Sequence, residues 1–262
     1  MGGAQGPLVG GLTGVKIYDQ PTHDIHAFIR RLHHNQAFSL AGFSDAEWYC
    51  ILGQREGEKT GLGQVLSAAH GQRLLDVLRR RQADPRFLLA IPKCLYQLPS
   101  FCNGEIDWFL GSQGIRIEAH ERDMLTDDLA REAGLYPLIE ELCHHRVVLV
   151  GPEPLRACGF LRYQHFVPIS TPNLHHEPDG IERAVAGAKR FNKRAVFCIS
   201  AGVSAAVIID QLYDWRPGNW YIDCGSIWDA FVGIGGQRQW RAELYADAEK
   251  WVAWKRKCLT GA

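Results

Sequence analysis

Apolar and polar positions alternate along this chain in two rhythms, which predict short strands separated by amphipathic helices. Apolar runs of five to seven residues are typical of buried strands, and they occupy residues 38–43, 86–92, 146–152, 165–170, 194–200 and 219–223. Longer stretches with apolar side chains every three or four positions predict helices at 22–36, 45–53, 63–82, 124–145, 178–192, 201–215 and 239–258. This succession predicts an α/β fold with a doubly wound, mostly parallel, Rossmann-like sheet.

The strand and helix pattern also predicts how the chain is organised. We expect a flexible glycine-rich lead at 1–20 and a single α/β domain at 21–236. A C-terminal helix at 237–262 would pack on that domain or be appended to it. In a sheet of this kind, ligands bind outside the carboxyl ends of the strands. Candidate chemistry is therefore expected in the turns that follow the predicted strands.

Composition narrows the classes of protein to consider. The chain is 46% hydrophobic and 22% charged, as in ordinary globular domains, and its 29 basic residues balance 29 acidic ones. This balance disfavours a strongly basic nucleic-acid binder. The eight cysteines form no C-x-x-C pair, which favours buried free thiols and a cytoplasmic location. No signal peptide is apparent, and no apolar run approaches the ~20 residues that span a bilayer.

The turn after the first predicted strand carries two carboxylates that admit two interpretations. Ser44 and Glu47 have the spacing of a capping box, in which each side chain bonds the other residue's backbone amide. Alternatively, Asp45 and Glu47, two positions apart, can hold one Mg²⁺ or Mn²⁺ beside a substrate phosphate. From the residue pattern alone, the capping box is favoured.

Two later turns offer further candidates. The amides of Gly202, Val203 and Ser204 open a predicted helix and suit phosphate, although small residues there also allow close packing of helix on strand. Asp223 and the Gly225 to Asp229 turn follow the last predicted strand, where an acidic residue also caps a helix. Tryptophans and basic residues alternate in the C-terminal helix, which indicates core packing, or attachment to an anionic membrane or nucleic acid.

Taken in order, these segments resemble the GT-D type glycosyltransferases, a family first catalogued as a domain of unknown function. The similarity runs from about residue 25 to 235. Its carriers are "GFSDAE" (42–47), which matches the family's D-x-E segment, "FLLAIP" (87–92), "VVLVGP" (147–152), "STPNL" (170–174), "CISAGVSAAVIIDQL" (198–212) and "YIDCGSIWD" (221–229). The chain departs from the family pattern at Gly42, where arginine is common, and at Ser44 and Ala46, which replace glycines.

The resemblance implies a metal-dependent glycosyltransferase that uses a nucleotide-sugar donor, most simply a UDP-sugar. Asp45 and Glu47 would then bind Mn²⁺ or Mg²⁺, and Asp45, Glu47 and Asp229 would be catalytic. The donor would contact a wider set of residues, namely Ser44, Asn173, Gly202, Val203, Ser204, Asp223, Gly225 and Ser226. An inverting reaction would also need a general base, for which the candidates are Glu105, Asp107, His120, Glu121 and Asp229.

The acceptor and the competing functions stay open at this stage. A glycan or glycoprotein is favoured over a hydroxymethylated DNA base because the chain has no net charge. A homodimer is compatible with the sequence. The alternatives to a transferase are a non-catalytic module that binds a nucleotide or sugar phosphate and a metal-dependent phosphohydrolase.

Overall fold

A seven-stranded sheet forms the centre of the protein. The structure is a computed structural model that describes residues 25–60, 63–91, 104–116, 120–121, 127–170, 172–235 and 238–261. Within them the strands are β1 (Ser39–Gly42), β2 (Phe87–Ala90), β3 (His120–Glu121), β4 (Val147–Gly151), β5 (His165–Pro168), β6 (Val196–Ile199) and β7 (Trp220–Asp223). All six predicted strands are present, and the two-residue β3 is an addition that no apolar run announced.

The strands lie in the order β3-β2-β1-β7-β6-β4-β5, and every pairing between them is parallel. β2 and β3 lie on one side of β1, and the four later strands lie on its other side, with the last strand, β7, next to β1. The predicted doubly wound parallel sheet is confirmed. Because all strands run the same way, their carboxyl ends meet at one edge of the sheet and their amino ends at the other.

Both faces of the sheet are buried, which explains why the strands are apolar throughout. Along β1, Leu40 belongs to one hydrophobic core and Ala41 to the other, and neighbouring strands alternate in the same way. Successive side chains of a strand point to opposite faces. A continuous apolar run is therefore what a sheet covered on both sides requires.

Helices cover these two faces. Their bounds are α1 (Ile25–His33), α2 (Asp45–Ile51), α3 (Ala68–Arg81), α4 (Glu105–Ser112), α5 (Asp127–Arg131), α6 (Tyr136–Leu142), α7 (Gly180–Lys189), α8 (Ala205–Trp215), α9 (Gln239–Tyr245) and α10 (Ala248–Thr260). α2, α3, α7 and α8 pack against the core that contains Ala41, which we call the first core. α1, α6 and α10 pack against the core that contains Leu40, the second core. A 3₁₀ turn at Gly202–Ser204 precedes α8, so the predicted helix at 201–215 begins with tighter winding.

The predicted helix at 63–82 begins later than its apolar pattern indicated. α3 starts at Ala68, with the Ser67 side chain accepting a hydrogen bond of 3.3 Å from the His70 amide. Residues before this cap instead return antiparallel to the preceding chain, with Val65 opposite Lys59. The N-cap serine sets the start of the helix because its hydroxyl satisfies an amide that lacks a partner within the first turn.

Two other long predicted helices are each divided in two. The segment at 124–145 contains α5 and α6, separated where Ala133 adopts a φ of 58°, a left-handed conformation that a helix cannot contain. Its first residues lie outside the described chain. The segment at 239–258 breaks between α9 and α10, because Asp247 caps a new helix by accepting from the amides of Glu249 and Lys250 at 3.1 and 3.0 Å.

The C-terminal helix packs on the α/β domain. The Trp254 indole N–H donates to the Ala130 carbonyl at 2.8 Å, and that of Trp251 donates to the Ala230 carbonyl at 2.9 Å. Trp254 and Cys258 are buried in the second core, so the tryptophan pattern serves packing.

Two expectations drawn from composition can be compared with the structure. The six cysteines of the described residues are free thiols, five of them buried, as expected, while Cys94 and Cys102 lie outside those residues. None of the helices that the structure describes is both long and apolar enough to cross a bilayer.

Candidate functional site

The candidate site lies at the carboxyl edge of the sheet, where three adjacent strands end in polar turns. β1 is followed by Ser44 to Glu47, β7 by Asp223 to Ser226, and β6 by Ser200 to Ser204. These segments are far apart in the sequence but belong to the neighbouring strands β1, β7 and β6. The sheet order therefore places the three turns that carry most of the predicted site residues at one edge.

The first of these turns forms the capping box that its spacing predicted. Ser44 caps α2, and its backbone amide and hydroxyl both donate to Oε2 of Glu47, at 2.9 and 2.6 Å. Glu47 is only 7% exposed, whereas Asp45 is exposed on the surface of the helix. Burial raises the pKa of Glu47, opposed by the hydrogen bonds from Ser44. Of the two carboxylates, only Asp45 is open to solvent.

Asp223 is the second buried carboxylate of the edge. Its two oxygens accept from the backbone amides of Gly42, at 3.1 Å, and Gly225, at 2.9 Å, which ties the end of β7 to the end of β1. The pKa of Asp223 is raised to about 7, chiefly by burial; the nearby Glu47 charge adds to the rise, and the two amide hydrogen bonds oppose it. Two buried carboxylates therefore repel each other at this edge.

The turn after β6 brings together hydroxyls and a buried amide side chain. The hydroxyls of Ser200 and Ser204 are buried and have no hydrogen-bond partner among the described residues. Gly202 has a φ of 54°, and a Cβ added there would lie 2.1 Å from Nε2 of Gln64. The left-handed φ favours glycine at this position, and the Gln64 side chain packs directly on the turn.

Gln64 belongs to a pair of antiparallel segments, residues 57–60 and 63–66, which we call the hairpin; Gln64 packs against the turn after β6. Asn173 holds this hairpin: its carboxamide oxygen accepts from the Val65 amide at 2.7 Å, and its nitrogen donates to the Gly63 carbonyl at 3.2 Å. His175 adds a bond of 2.8 Å from Nε2 to the Val65 carbonyl. The side chain of Asn173 is thus engaged with the hairpin, and its contact with the donor stays a prediction.

Three histidines contact the hairpin or the turn after β6. The rings of His70 and His175 have centroids 4.7 Å apart, and those of His175 and His176 are 4.3 Å apart. His70 donates from Nε2 to the Val203 carbonyl at 2.8 Å, and burial lowers its pKa to about 4. Burial also lowers the pKa of His175. These two imidazoles are therefore neutral at physiological pH and act as polar packing groups.

The segment after β7 is held by a buried arginine from α9. Arg241 is fully buried and pairs with Asp229 at 3.2 Å. Its other terminal nitrogen donates to the carbonyl and the hydroxyl of Ser226, at 2.7 and 3.1 Å. Asp229 and Ser226, predicted as catalytic and donor-binding residues, are thus engaged in positioning the turn that carries Gly225.

The other general-base candidates have contacts of their own or have side chains outside what the structure describes. Glu105 accepts from the Gln54 side chain at 2.9 Å at the start of α4. Asp107 lies on the same helix and also takes part in an interaction. The side chains of His120 and Glu121 fall outside the described residues. The base assignment therefore stays a prediction.

The carboxylates at the edge have the chemistry that a hard divalent cation prefers, but they do not form a complete metal site by themselves. Asp45, Glu47 and Asp223 supply oxygen ligands of the kind that Mg²⁺ and Mn²⁺ prefer. The mutual repulsion of Glu47 and Asp223 would be relieved by a positive charge between them. No cluster of three or more His, Cys, Asp or Glu side chains with metal-site geometry occurs in the described ranges, so a cation would also need substrate oxygens.

Three residues of this region were not found from the sequence. Gln64 stood within a segment that was predicted to be helical, His70 within the apolar pattern of the same helix, and Arg241 among the tryptophans of the C-terminal segment. Each contacts a residue of the site that is more than ten positions away in the sequence. No local spacing announces such a contact.

Comparison with known proteins agrees with this architecture. No family model matches the chain, and no curated protein matches it. A structure of "a new glycosyltransferase (DUF1792)" from Streptococcus sanguinis is 13% identical with a TM-score of 0.53, covering 85% of this chain and 83% of that one. A structure of the domain of unknown function 1792, described as having a distinct glycosyltransferase fold, is 16% identical with a TM-score of 0.50, covering 83% and 78%.

A selenomethionine form of that domain is 15% identical, with the same TM-score and coverage. At these identities the likeness concerns the fold. The chain therefore has the α/β fold of these glycosyltransferase structures, as the GT-D resemblance implied.

Proposed function

We propose that this protein is a metal-dependent glycosyltransferase whose donor site lies at the carboxyl edge of the sheet. The observation that carries the proposal is the pair of buried carboxylates, Glu47 and Asp223, beside a turn with two buried hydroxyls that lack a partner among the described residues. Apolar packing alone gives no reason to bury two interacting carboxylates. The shared fold with glycosyltransferase structures supports the same conclusion.

In the proposed reaction, an acceptor hydroxyl attacks the anomeric carbon of a nucleotide sugar. A new glycosidic C–O bond forms, the bond from that carbon to the diphosphate oxygen breaks, and the diphosphate leaves with the electron pair. Asp45 and Glu47 would hold Mn²⁺ or Mg²⁺, with Asp223 nearby, and the bound cation would neutralise the charge of the leaving diphosphate. The acceptor proton passes to a base that has not been assigned.

The chain's own groups would bind and orient the diphosphate. The turn at Gly202–Ser204 leads into α8, whose amino end favours negative charge, and the Ser204 hydroxyl could donate a further hydrogen bond. Asp223 would keep the ends of β1 and β7 in register through its two amide bonds. We propose a UDP-sugar as donor, a glycan as the favoured acceptor and a cytoplasmic location, consistent with the neutral charge and the free cysteines.

An assay of transfer from UDP-sugars to glycan acceptors, with Mn²⁺ and with a chelator, tests this proposal. We expect Asp45→Ala to lower kcat/KM by about 100-fold, because it removes an oxygen ligand next to the leaving group. The matched control is Asp128→Ala on α5, whose side chain is 68% exposed. Equal activity of the two variants, or activity unchanged by the chelator, would reject the proposed site. Release of free phosphate from sugar phosphates would instead identify a hydrolase.

We also propose that the hairpin, residues 57–60 and 63–66, must move for the donor to enter. Gln64 is buried and its side chain packs against Gly202, so the hairpin covers the turn that also carries the buried Ser204 hydroxyl. Asn173 closes it with two hydrogen bonds, each worth about 0.5–1.5 kcal/mol. We expect Asn173→Ala to speed amide exchange at residues 63–66 by about tenfold.

The matched control for this variant is Asn192→Ala, which removes an exposed asparagine on the turn before β6. Exchange at residues 63–66 should be unchanged in the control. Equal exchange in Asn173→Ala and the unmodified protein would show that these bonds do not hold the hairpin closed.

A further inference from the structure

A second polar pocket lies at the opposite edge of the sheet, away from the proposed donor site. It has a volume of about 440 Å³, and we call it the basal pocket; its lining includes His144, His145, Arg146, Gln164, Arg194 and Trp220. Arg146, Gln164 and Arg194 each precede a strand, and Trp220 begins one. Because the strands are parallel, these positions all fall at their amino ends. The location is therefore built by the sheet and shares no residue with the carboxyl edge.

Arg194 is held rigidly in the wall of this pocket. Its guanidinium lies over the Trp220 ring, 4.3 Å from the centroid. Nε donates to the Gly218 carbonyl at 3.0 Å, and one terminal nitrogen donates to the Asn35 carbonyl at 2.9 Å. These contacts use only part of the five donors of a guanidinium. They fix its plane before any ligand arrives, which reduces the entropy lost on binding.

Arg146 supplies a second permanent positive charge. It is exposed, and its side chain makes no hydrogen bond or ion pair with the residues that the structure describes. The nearby Glu141 carboxylate is engaged by His145 at 2.9 Å and by His33 at 3.5 Å. None of the described residues that line the basal pocket carries a carboxylate.

This local excess of positive charge contrasts with the whole chain, where basic and acidic residues balance at 29 each. The described residues that line the basal pocket include two arginines and two histidines but no carboxylate, on a chain with many acidic residues. This composition favours an anionic ligand. Arginine matches phosphate oxygens with paired N–H donors, which favours phosphate over a simple halide. The volume exceeds that of one phosphate group and falls in the range of small-molecule sites.

We propose that the basal pocket binds a phosphate-bearing anion between Arg146 and Arg194, with His144 as an additional hydrogen-bond donor. The ligand's phosphate could belong to a free small molecule or to an anionic lipid headgroup, since both present the same oxygens. Binding here is independent of the proposed transferase site, which requires Asp45 and a divalent cation.

Calorimetry with inorganic pyrophosphate, at low salt and with a chelator present, tests the proposal without the transferase site's metal. We expect Arg146→Ala to weaken pyrophosphate binding about tenfold or more, the usual effect of losing a charge-assisted hydrogen bond. The matched control is Arg256→Ala on α10, which removes the same charge from an exposed position elsewhere. We expect the control to change the Kd by less than about twofold, as for a screened surface charge.

Sedimentation with phosphatidylcholine vesicles, with and without phosphatidic acid, separates the two sources. A lipid headgroup is the ligand if the unmodified protein binds the acidic vesicles, Arg146→Ala abolishes that binding, and pyrophosphate binds only weakly. This result supports the proposal. Pyrophosphate binding without vesicle binding supports it with a soluble ligand. Equal losses in Arg146→Ala and Arg256→Ala, or no binding of either probe to the unmodified protein, would overturn it. Pyrophosphate binding that Arg146→Ala leaves unchanged would also overturn it, because the anion would then lie elsewhere.

Discussion

Replacing Asp223 with asparagine removes a buried ionisable group whose energetic cost follows from its environment. The pKa of Asp223 is raised from 3.8 to about 7, chiefly by burial. The folded protein therefore binds this proton more tightly than the unfolded chain does. It follows that Asp223 lowers the free energy of unfolding as pH rises from about 4 to about 7, with no further change above that range.

The size of the effect follows from the two pKa values of Asp223, in the folded and the unfolded chain. A tenfold difference in proton affinity corresponds to about 1.4 kcal/mol, so the cost of ionising Asp223 grows by about 2–3 kcal/mol between pH 5 and pH 8. Glu47 contributes in the same direction, because its pKa is also raised and the two groups repel. The Asn variant removes both the Asp223 contribution and that repulsion. It also loses one acceptor for the Gly42 and Gly225 amides, at a cost of about 1–3 kcal/mol at every pH.

Urea unfolding at pH 5 and pH 8 measures this effect as a difference between proteins. We expect the stability of Asp223→Asn relative to the unmodified protein to rise by about 2–3 kcal/mol from pH 5 to pH 8. Asp128→Asn, an exposed aspartate on α5, serves as the control and should show no such change. A relative stability of Asp223→Asn that is equal at the two pH values would refute the reasoning. Burial would then not penalise the charged form.

Two further predictions concern how the site is supported. Gly71 lets α3 pack against α2, since a Cβ there would lie 1.9 Å from the Cys50 carbonyl oxygen. We expect Gly71→Ala to lower the Tm strongly. Gly111→Ala, at an exposed position of α4 with open space around the added Cβ, should instead stabilise by about 0.5–1 kcal/mol; equal effects would contradict the close packing. Arg241→Met should lower the free energy of unfolding by about 3–5 kcal/mol in urea, because Asp229 loses its buried partner; a change below about 1 kcal/mol would show that the pair is dispensable.

Much of the fold could be predicted from the sequence, because its signals are local. Every strand of the sheet except the two-residue β3 follows from a continuous apolar run, which a sheet buried on both faces demands. The capping box at Ser44 and Glu47 was predicted for the same reason, since its two members are three residues apart. Errors occurred where a polar cap or a left-handed residue interrupts an otherwise helical pattern, as at Ser67 and Ala133.

The sequence by itself thus determined the α/β class, the order of its elements and the turns where chemistry would gather. The tertiary structure decided what each polar residue does there. Asp223 is fixed by Gly42, 181 positions away, and Asn173 holds Val65, 108 positions away. Such contacts depend on which strands become neighbours, and only the folded sheet places β7 against β1. Roles shared across that distance leave no spacing in the sequence, because their geometry exists only after the chain has closed.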